Sequence, residues 1–304
     1  MAAPERFAVQ IDGRDLELSN LDKLMYPQAG FTKGEVIDYY TRLAPVLLPH
    51  LENRALTRIR YPNGVDGAHF FEKNAPGGTP SWVRLERLPV PGSTKSRDTI
   101  DFVVVDDLAT LVWVANLASL ELHTPQWRIG ADPDLMVVDL DPGAPAGLTE
   151  CCAVAMLMRD RLAEDGIAAY PKTSGKKGMQ LCCPIAGTQD AETVSGYAKR
   201  VADELATRVP RSITAKMAKN LRPGKVFIDW SQNAAAKTTV APYSLRAQPA
   251  PTASTPLTWD EVAAFGLGEE AARQFTAAEV LDRVAAYGDL LADLLEPGPA
   301  VPAS

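Results

Sequence analysis

Asp139 and Asp141 stand at the end of an apolar run, residues 134–140 (DLMVVDL), with one leucine between them. In a strand, side chains alternate between faces, so both carboxylates share one face with Cα atoms roughly 6.5–7 Å apart. Two hard oxygen ligands at that spacing can share divalent cations, which is how phosphoryl-transfer sites are built. The tripeptide alone also suits two solvent-facing acids at a strand end, or the metal site of a sugar-nucleotide transferase. A third acid, Asp229, sits inside a second apolar run, KVFIDW at 225–230. An ionised, unpaired Asp there carries a burial cost of several kcal/mol, which a shared metal removes. Between these runs lies Ser174-Gly175-Lys176-Lys177-Gly178. It lacks the G-x-x-x-x-G-K-[ST] pattern, yet a glycine turn with two lysines and a hydroxyl can hold phosphates through backbone N–H groups and charge.

The elements that must position these residues follow from patterning. Residues 134–140 read as a strand. Thr149 is expected to cap a helix running to about Glu164, with Gly166 as its stop. Short strands follow at 167–172 and 179–184, then a helix opening near Thr188 and ending before Pro210, then the strand 225–230. This strand-helix-strand-strand-helix-strand order is the split βαβ pattern. In its usual strand order the last strand lies beside the first, which puts Asp229 next to Asp139 and Asp141. The strand at 179–184 flanks the first on its other side, so Gln180 is expected near a bound triphosphate.

Earlier in the chain, Thr32-x-x-Glu35 is a capping box that opens a helix. Residues 55–61 form a strand with Arg58 and Arg60 on one face. Two exposed loops are expected at 74–80 and 88–98, a strand at 99–105 and a helix at 107–121. Helical signals recur around 258–264 and 276–294, before a Pro/Ala tail.

Hydrophobic residues make up 46% and charged residues 23% of the 304, which excludes a mostly disordered chain. No stretch approaches 18 consecutive apolar residues, and the N-terminus lacks the regions of a signal peptide, so a cytoplasmic protein with no membrane partner is expected. The four cysteines are two adjacent pairs, 151–152 and 182–183, a spacing that suits buried small hydrophobes and not a zinc site. The formal charge is -7, but residues 172–246 carry thirteen Lys and Arg against five Asp and Glu. A basic stretch on an acidic protein points to a polyanion site. From 211 to 246 its only acid is Asp229.

Together the motifs LSNLDKLMYP (18–27), YPNGVDG (61–67), FFEK (70–73), HTPQW (123–127), VVDLDP (137–142), TSGKKG (173–178), KVFIDWSQN (225–233) and KTTVAPYSLR (237–246), followed by the Tyr287–Leu290 region, carry a resemblance over essentially the whole chain. It closely resembles the polymerase domain of bacterial ligase D, in the archaeo-eukaryotic primase superfamily. The fold this implies is α/β (α+β), a primase-like catalytic core with a split βαβ, RNA-recognition-like unit at about 134–230 packed against an N-terminal α/β unit. One primase-polymerase domain, 1–295, would comprise an α/β unit (1–130), a metal-site unit (131–246) and a helical segment (255–295), with 296–304 a flexible tail. No ligase lysine motif or phosphoesterase region follows residue 295, so the stand-alone form is expected.

By that resemblance Asp139, Asp141 and Asp229 match the catalytic, metal-binding acids, with Mn²⁺ or Mg²⁺ as cofactor. Ser174, Lys177, Lys237 and Arg246 match contacts to the nucleotide phosphates, and His123 the active-site histidine. Asn20, Lys23 and Lys33 match the pocket for a 5′-phosphate across a gap, Phe70 and Phe71 aromatics at the DNA surface, and Arg222 a template-contacting loop. The implied partners are gapped or broken DNA with a 5′-phosphate, NTP or dNTP, a separate ATP-dependent DNA ligase and Ku. Two positions depart from the family: Gln180 stands where a triphosphate-touching histidine is usual, and Ile59 where a basic residue is common. The implied activity is template-dependent nucleotidyl transfer that fills short DNA gaps, with a preference for ribonucleotides. The alternatives are a non-catalytic DNA-end or gap-binding module, and the sugar-nucleotide transferase, which leaves Asp229 and the basic stretch without a role.

Overall fold

The computed structural model describes residues 6–90 and 98–302. The chain forms two compact units. The first runs to Thr124 and takes in Tyr243–Thr252 and Thr276–Gly288; the second comprises Pro125–Pro242, Ala253–Phe275 and the chain from Asp289.

In the first unit, strands β1 (Arg6–Ile11) and β2 (Arg14–Ser19) form a hairpin, and β3 (Leu24–Tyr26) pairs with β4 (Phe31–Thr32). Helix α1 (Lys33–Leu51) begins at the predicted capping box: the Thr32 hydroxyl accepts from Glu35 N at 3.2 Å, and Glu35 accepts from Thr32 N at 2.7 Å. Its buried stripe of Val36, Tyr40, Leu43 and Leu47 follows the 3.6-residue period. Strands β5 (Thr57–Arg60) and β6 (Phe70–Glu72) follow, then β7 (Leu85–Pro89) and β8 (Thr99–Val103). The expected loop at 88–98 lies largely outside the described residues. Arg58 and Arg60 share a face as expected, since both reach Glu72, at 3.3 and 3.1 Å.

The helix expected at 107–121 divides. Helix α2 (Leu108–Asn116) is capped by Asp107, and β9 (Ser119–Thr124) pairs with β5. Ala118 takes φ +60°, breaking the helix, and the Asn116 amide is drawn off to the β2 backbone at Glu17 and Ser19. The Leu, Val and Ala of 108–117 carry the helical signal, whereas Ser119-Leu120-Glu121-Leu122 alternates with the period of a strand.

The second unit is built on β10 (Leu135–Pro142), α3 (Leu148–Glu164), β11 (Tyr170–Thr173), β12 (Met179–Pro184), α4 (Ala191–Arg208), β13 (Ile213–Thr214) and β14 (Val226–Asp229). The strands lie in the order β11-β12-β10-β14-β13, so β14 and β12 flank β10 as the split βαβ reading requires. Two helix starts move. Gly147, and not Thr149, caps α3, with Glu150 accepting from Gly147 N at 2.7 Å; Asp190, and not Thr188, caps α4.

Met136, Val138 and Leu140 are fully buried on one face of β10. On the other face Val137 and Cys182 pack with Leu291 and Leu294. All four cysteines are free and buried. Helix α5 (Trp259–Leu267) lies against α3, and α6 (Ala277–Tyr287) returns to the first unit beside α1, ending at Gly288 short of the expected 294. No helix among the described residues is long and apolar enough to cross a membrane.

Candidate active site

The register of the second unit's sheet places Lys172, Gln180, Asp139 and Asp229 in one cross-strand row on β11, β12, β10 and β14. Side chains opposite one another in a ladder project to the same face. Asp141, two residues along β10, shares that face and is exposed. The three acids therefore project from one face of two neighbouring strands.

Their electrostatics follow from that crowding. Asp139 is pushed up to about 7, first by burial and then by the charges of Asp141 and Asp229; a hydrogen bond from Gln180 and the charge of Lys172 pull the other way. Carboxylates gathered this closely favour a cation between them.

Asp229, nine-tenths buried, has both oxygens engaged. Ser231 donates to Oδ1 from its N at 3.0 Å and its Oγ at 2.6 Å, and Gln232 donates to Oδ2 at 3.0 Å. Among the described residues no three metal-ligating side chains converge on one point. A cation bound by all three acids would share the Asp229 carboxylate with the donors of its 3-10 turn, Trp230–Asn233. The donor set itself fits a hard divalent ion.

Asn233 explains the end of the KVFIDWSQN motif. Strand β14 stops at Asp229, opposite Asp139, so β10 loses its ladder partner beyond that point. The Asn233 amide replaces it, accepting from Val137 N and donating to Val137 O, both at 2.8 Å.

The Ser174–Gly178 turn closes through Ser174 N donating to Gly178 O at 2.9 Å. The Ser174 hydroxyl accepts from Lys176 N at 3.3 Å and Gly178 N at 3.2 Å, so the serine shapes the turn from within. A Cβ on Gly178 would stand 2.0 Å from the Leu140 carbonyl oxygen. Only glycine lets this turn lie so close to the aspartate strand. Lys177 and Lys237 are both exposed.

Gln180 is 6% exposed, and its amide is taken by Asp139 and Lys172. Lys172 and Asn233 were missed in the sequence. The strand register was the available signal for Lys172: it pairs with Gln180 as Gln180 pairs with Asp139.

Arg222 follows a 3-10 turn. Its guanidinium lies 3.6 Å from the Phe227 ring centroid and donates to Met217 O at 2.8 Å. A Cβ on Gly143 would stand 2.1 Å from the Arg222 carbonyl oxygen, so the basic loop rests on the end of β10.

The remaining candidates lie in the first unit. His123 and Arg246 share the fully buried Glu121, at 3.0 and 3.2 Å. Asn20 is exposed at φ +54°, and the chain after it folds onto the start of α1, with Lys33 N donating to Lys23 O and Gly34 N to Leu21 O. Lys33 is 5% exposed and donates to Ser19 O at 2.6 Å, whereas Lys23 is exposed and donates to Asn63 at 3.1 Å. Burial, and next the charges of Lys23 and Arg60, lower Lys33 to about 8, so three cations stand together. Phe70 and Phe71 are 52% and 55% exposed, neither of them in the core.

Comparison with known proteins places this geometry. Residues 32–291 match the family described as LigD, primase-polymerase domain. The chain is 45% identical over 284 residues to the multifunctional non-homologous end joining protein LigD of Mycolicibacterium smegmatis, covering 92% of this chain and 36% of that protein. It is 32% identical to the bifunctional LigD of Bacillus subtilis, covering 90% of this chain and 43% of that one. It thus spans less than half the length of these relatives. Among solved structures, the polymerase domain of Mycobacterium tuberculosis ligase D in complex with DNA superposes with a TM-score of 0.86 at 40% identity, over 93% of this chain and 98% of that one. The aspartate sheet, its glycine turn and these matches agree, and the chain belongs to the LigD primase-polymerase domain family, a family of DNA polymerases and so of nucleotidyltransferases.

Proposed function

We propose that this chain is a metal-dependent, template-directed nucleotidyltransferase that fills short gaps at DNA breaks, favours ribonucleotides and reads the 5′-phosphate across the gap. The observation that carries this is the gathering of Asp139, Asp141 and Asp229 on adjacent strands, with Asp139 raised to about 7 by burial and the other two charges. The named roles of the relatives in end joining, and the DNA bound to the mycobacterial neighbour, support DNA as the substrate.

Asp139, Asp141 and Asp229 would hold Mn²⁺ or Mg²⁺. When bound, such ions lower the pKa of a primer 3′-OH and neutralise charge on the α-phosphate and the leaving pyrophosphate. The protein's own part is to fix the acids on rigid strands, with Asn233 clamping β10 beside them. Lys177 and Lys237 would neutralise the triphosphate, and Ser174 would hold the turn that presents Lys177. His123 and Arg246, both tied to Glu121, would contribute further phosphate contacts. Lys23, Lys33 and Asn20 would take the 5′-phosphate by charge-assisted hydrogen bonds. Phe70 and Phe71 would pack on bases or sugars, and Arg222 would meet the template strand. A filled gap leaves a nick, so a DNA ligase is the partner reaction, with Ku as a partner at broken ends.

Primer extension on a gapped duplex tests the proposal, with Mn²⁺ or Mg²⁺, ribo- or deoxynucleotides, and with or without the 5′-phosphate. Templated incorporation, faster with ribonucleotides and enhanced by the 5′-phosphate, is expected. Tight binding of the gapped duplex with no incorporation under any metal would favour the non-catalytic end-binding module.

A further inference from the structure

The row Lys172–Gln180–Asp139 has an order that chemistry fixes. An ammonium only donates and a carboxylate only accepts, so an amide between them must turn its oxygen to the lysine and its NH₂ to the acid. Lys172 Nζ donates to Gln180 Oε1 at 2.5 Å, and Gln180 Nε2 donates to Asp139 Oδ1 at 2.9 Å. Lys172 is 1% exposed and is anchored by two more acceptors, Ser254 Oγ at 2.8 Å and Val240 O at 3.0 Å. The lysine is therefore fixed before the amide is, and the amide before the carboxylate.

We propose that Lys172 and Gln180 are positioning residues that set the orientation of the Asp139 carboxylate for metal binding, and that Gln180 is not a ligand of the nucleotide phosphates. The inference rests on the reading of Asp139 as a metal ligand. With Oδ1 held by Gln180, the carboxylate cannot rotate freely, and Oδ2 is the oxygen presented to a cation. The buried ammonium is one amide away from the acids, so its charge is offset without direct contact that would compete with the metal. The same demand can be met by histidine. A neutral imidazole also offers one acceptor and one donor, so either side chain can stand between Lys172 and Asp139. On this proposal the oxygen and one N–H of the Gln180 amide are used within the sheet, which sets it against the expectation that Gln180 serves the triphosphate.

The test is Mn²⁺ affinity in the absence of nucleotide, by calorimetry or by electron paramagnetic resonance of free Mn²⁺, alongside the nucleotide KM at saturating Mn²⁺. Gln180→Leu is expected to weaken Mn²⁺ binding about tenfold, the usual scale for losing a group that orients a metal ligand, and to leave the KM within about twofold. Lys172→Met is expected to weaken Mn²⁺ binding similarly although Gln180 is intact, because the amide loses its anchor. Gln180→His, which keeps a donor and an acceptor, is expected to retain the affinity even if the leucine variant folds poorly. Unchanged Mn²⁺ affinity in Gln180→Leu, or a raised nucleotide KM with normal metal binding, overturns the proposal. Asp139→Asn separates the two levels: if it binds Mn²⁺ as well as the unaltered chain, the metal-site reading itself has failed.

Discussion

Lys33 shows how one residue carries a measurable consequence. Its ammonium is nearly buried, beside Lys23 and Arg60, and is lowered to about 8. A bound phosphate dianion stabilises the charged form and so raises that value in the complex. The unliganded protein therefore holds the proton below pH 8 and loses it above, while the complex keeps it. Affinity for a 5′-phosphate end should be flat from about pH 7 to 7.5 and fall by up to about tenfold per pH unit above 8, the limit for one linked proton. Fluorescence anisotropy of gapped duplexes with and without the phosphate, across pH 7 to 9, measures this. Lys33→Gln should show a weaker preference with no such fall. A preference independent of pH in the unaltered chain would mean that Lys33 does not touch the phosphate.

At the level of elements, sequence patterning found what has a period or a cap. The Thr32–Glu35 capping box, the β10 run and the β14 run were readable because each has a local signature. The α2–β9 boundary was missed although Ser119, Glu121 and His123 alternate with Leu120 and Leu122 as a strand requires, because the break itself is set by Ala118's φ and by Asn116 bonding to β2, a distant partner. The three acids were legible one by one, and their meeting followed from the split βαβ strand order. Lys172 was not, since its importance depends on which residue it faces across the sheet.

Asn233 is the same kind of residue, and it gives a stability prediction. It is 2% exposed and satisfies both backbone groups of Val137. Leaving two buried backbone groups unpaired costs about 1–3 kcal/mol each. Asn233→Leu should therefore lower unfolding free energy in urea by about 2–6 kcal/mol, and a change below about 0.5 kcal/mol would show that water or the main chain takes over.

At the scale of the whole molecule, an acidic chain carries a basic segment, 172–246, that supplies both strands flanking its aspartate strand. The net charge of -7 opposes nucleic acid at long range, so binding must come from local groups of cations, such as those in the segment 172–246 and the Lys23–Lys33 pair. Such binding weakens steeply with salt. The central claim is that three carboxylates in this setting act as one metal-dependent catalytic group. Its most direct test is single-turnover nucleotide incorporation on a 5′-phosphorylated gapped duplex by Asp139→Asn, Asp141→Asn and Asp229→Asn, with binding to the same duplex measured in parallel. The account predicts that each variant loses incorporation by at least about a hundredfold while binding the duplex as tightly as the unaltered chain or more tightly, because a negative charge near DNA has been removed. Substantial incorporation by any one of the three, with binding intact, would contradict it.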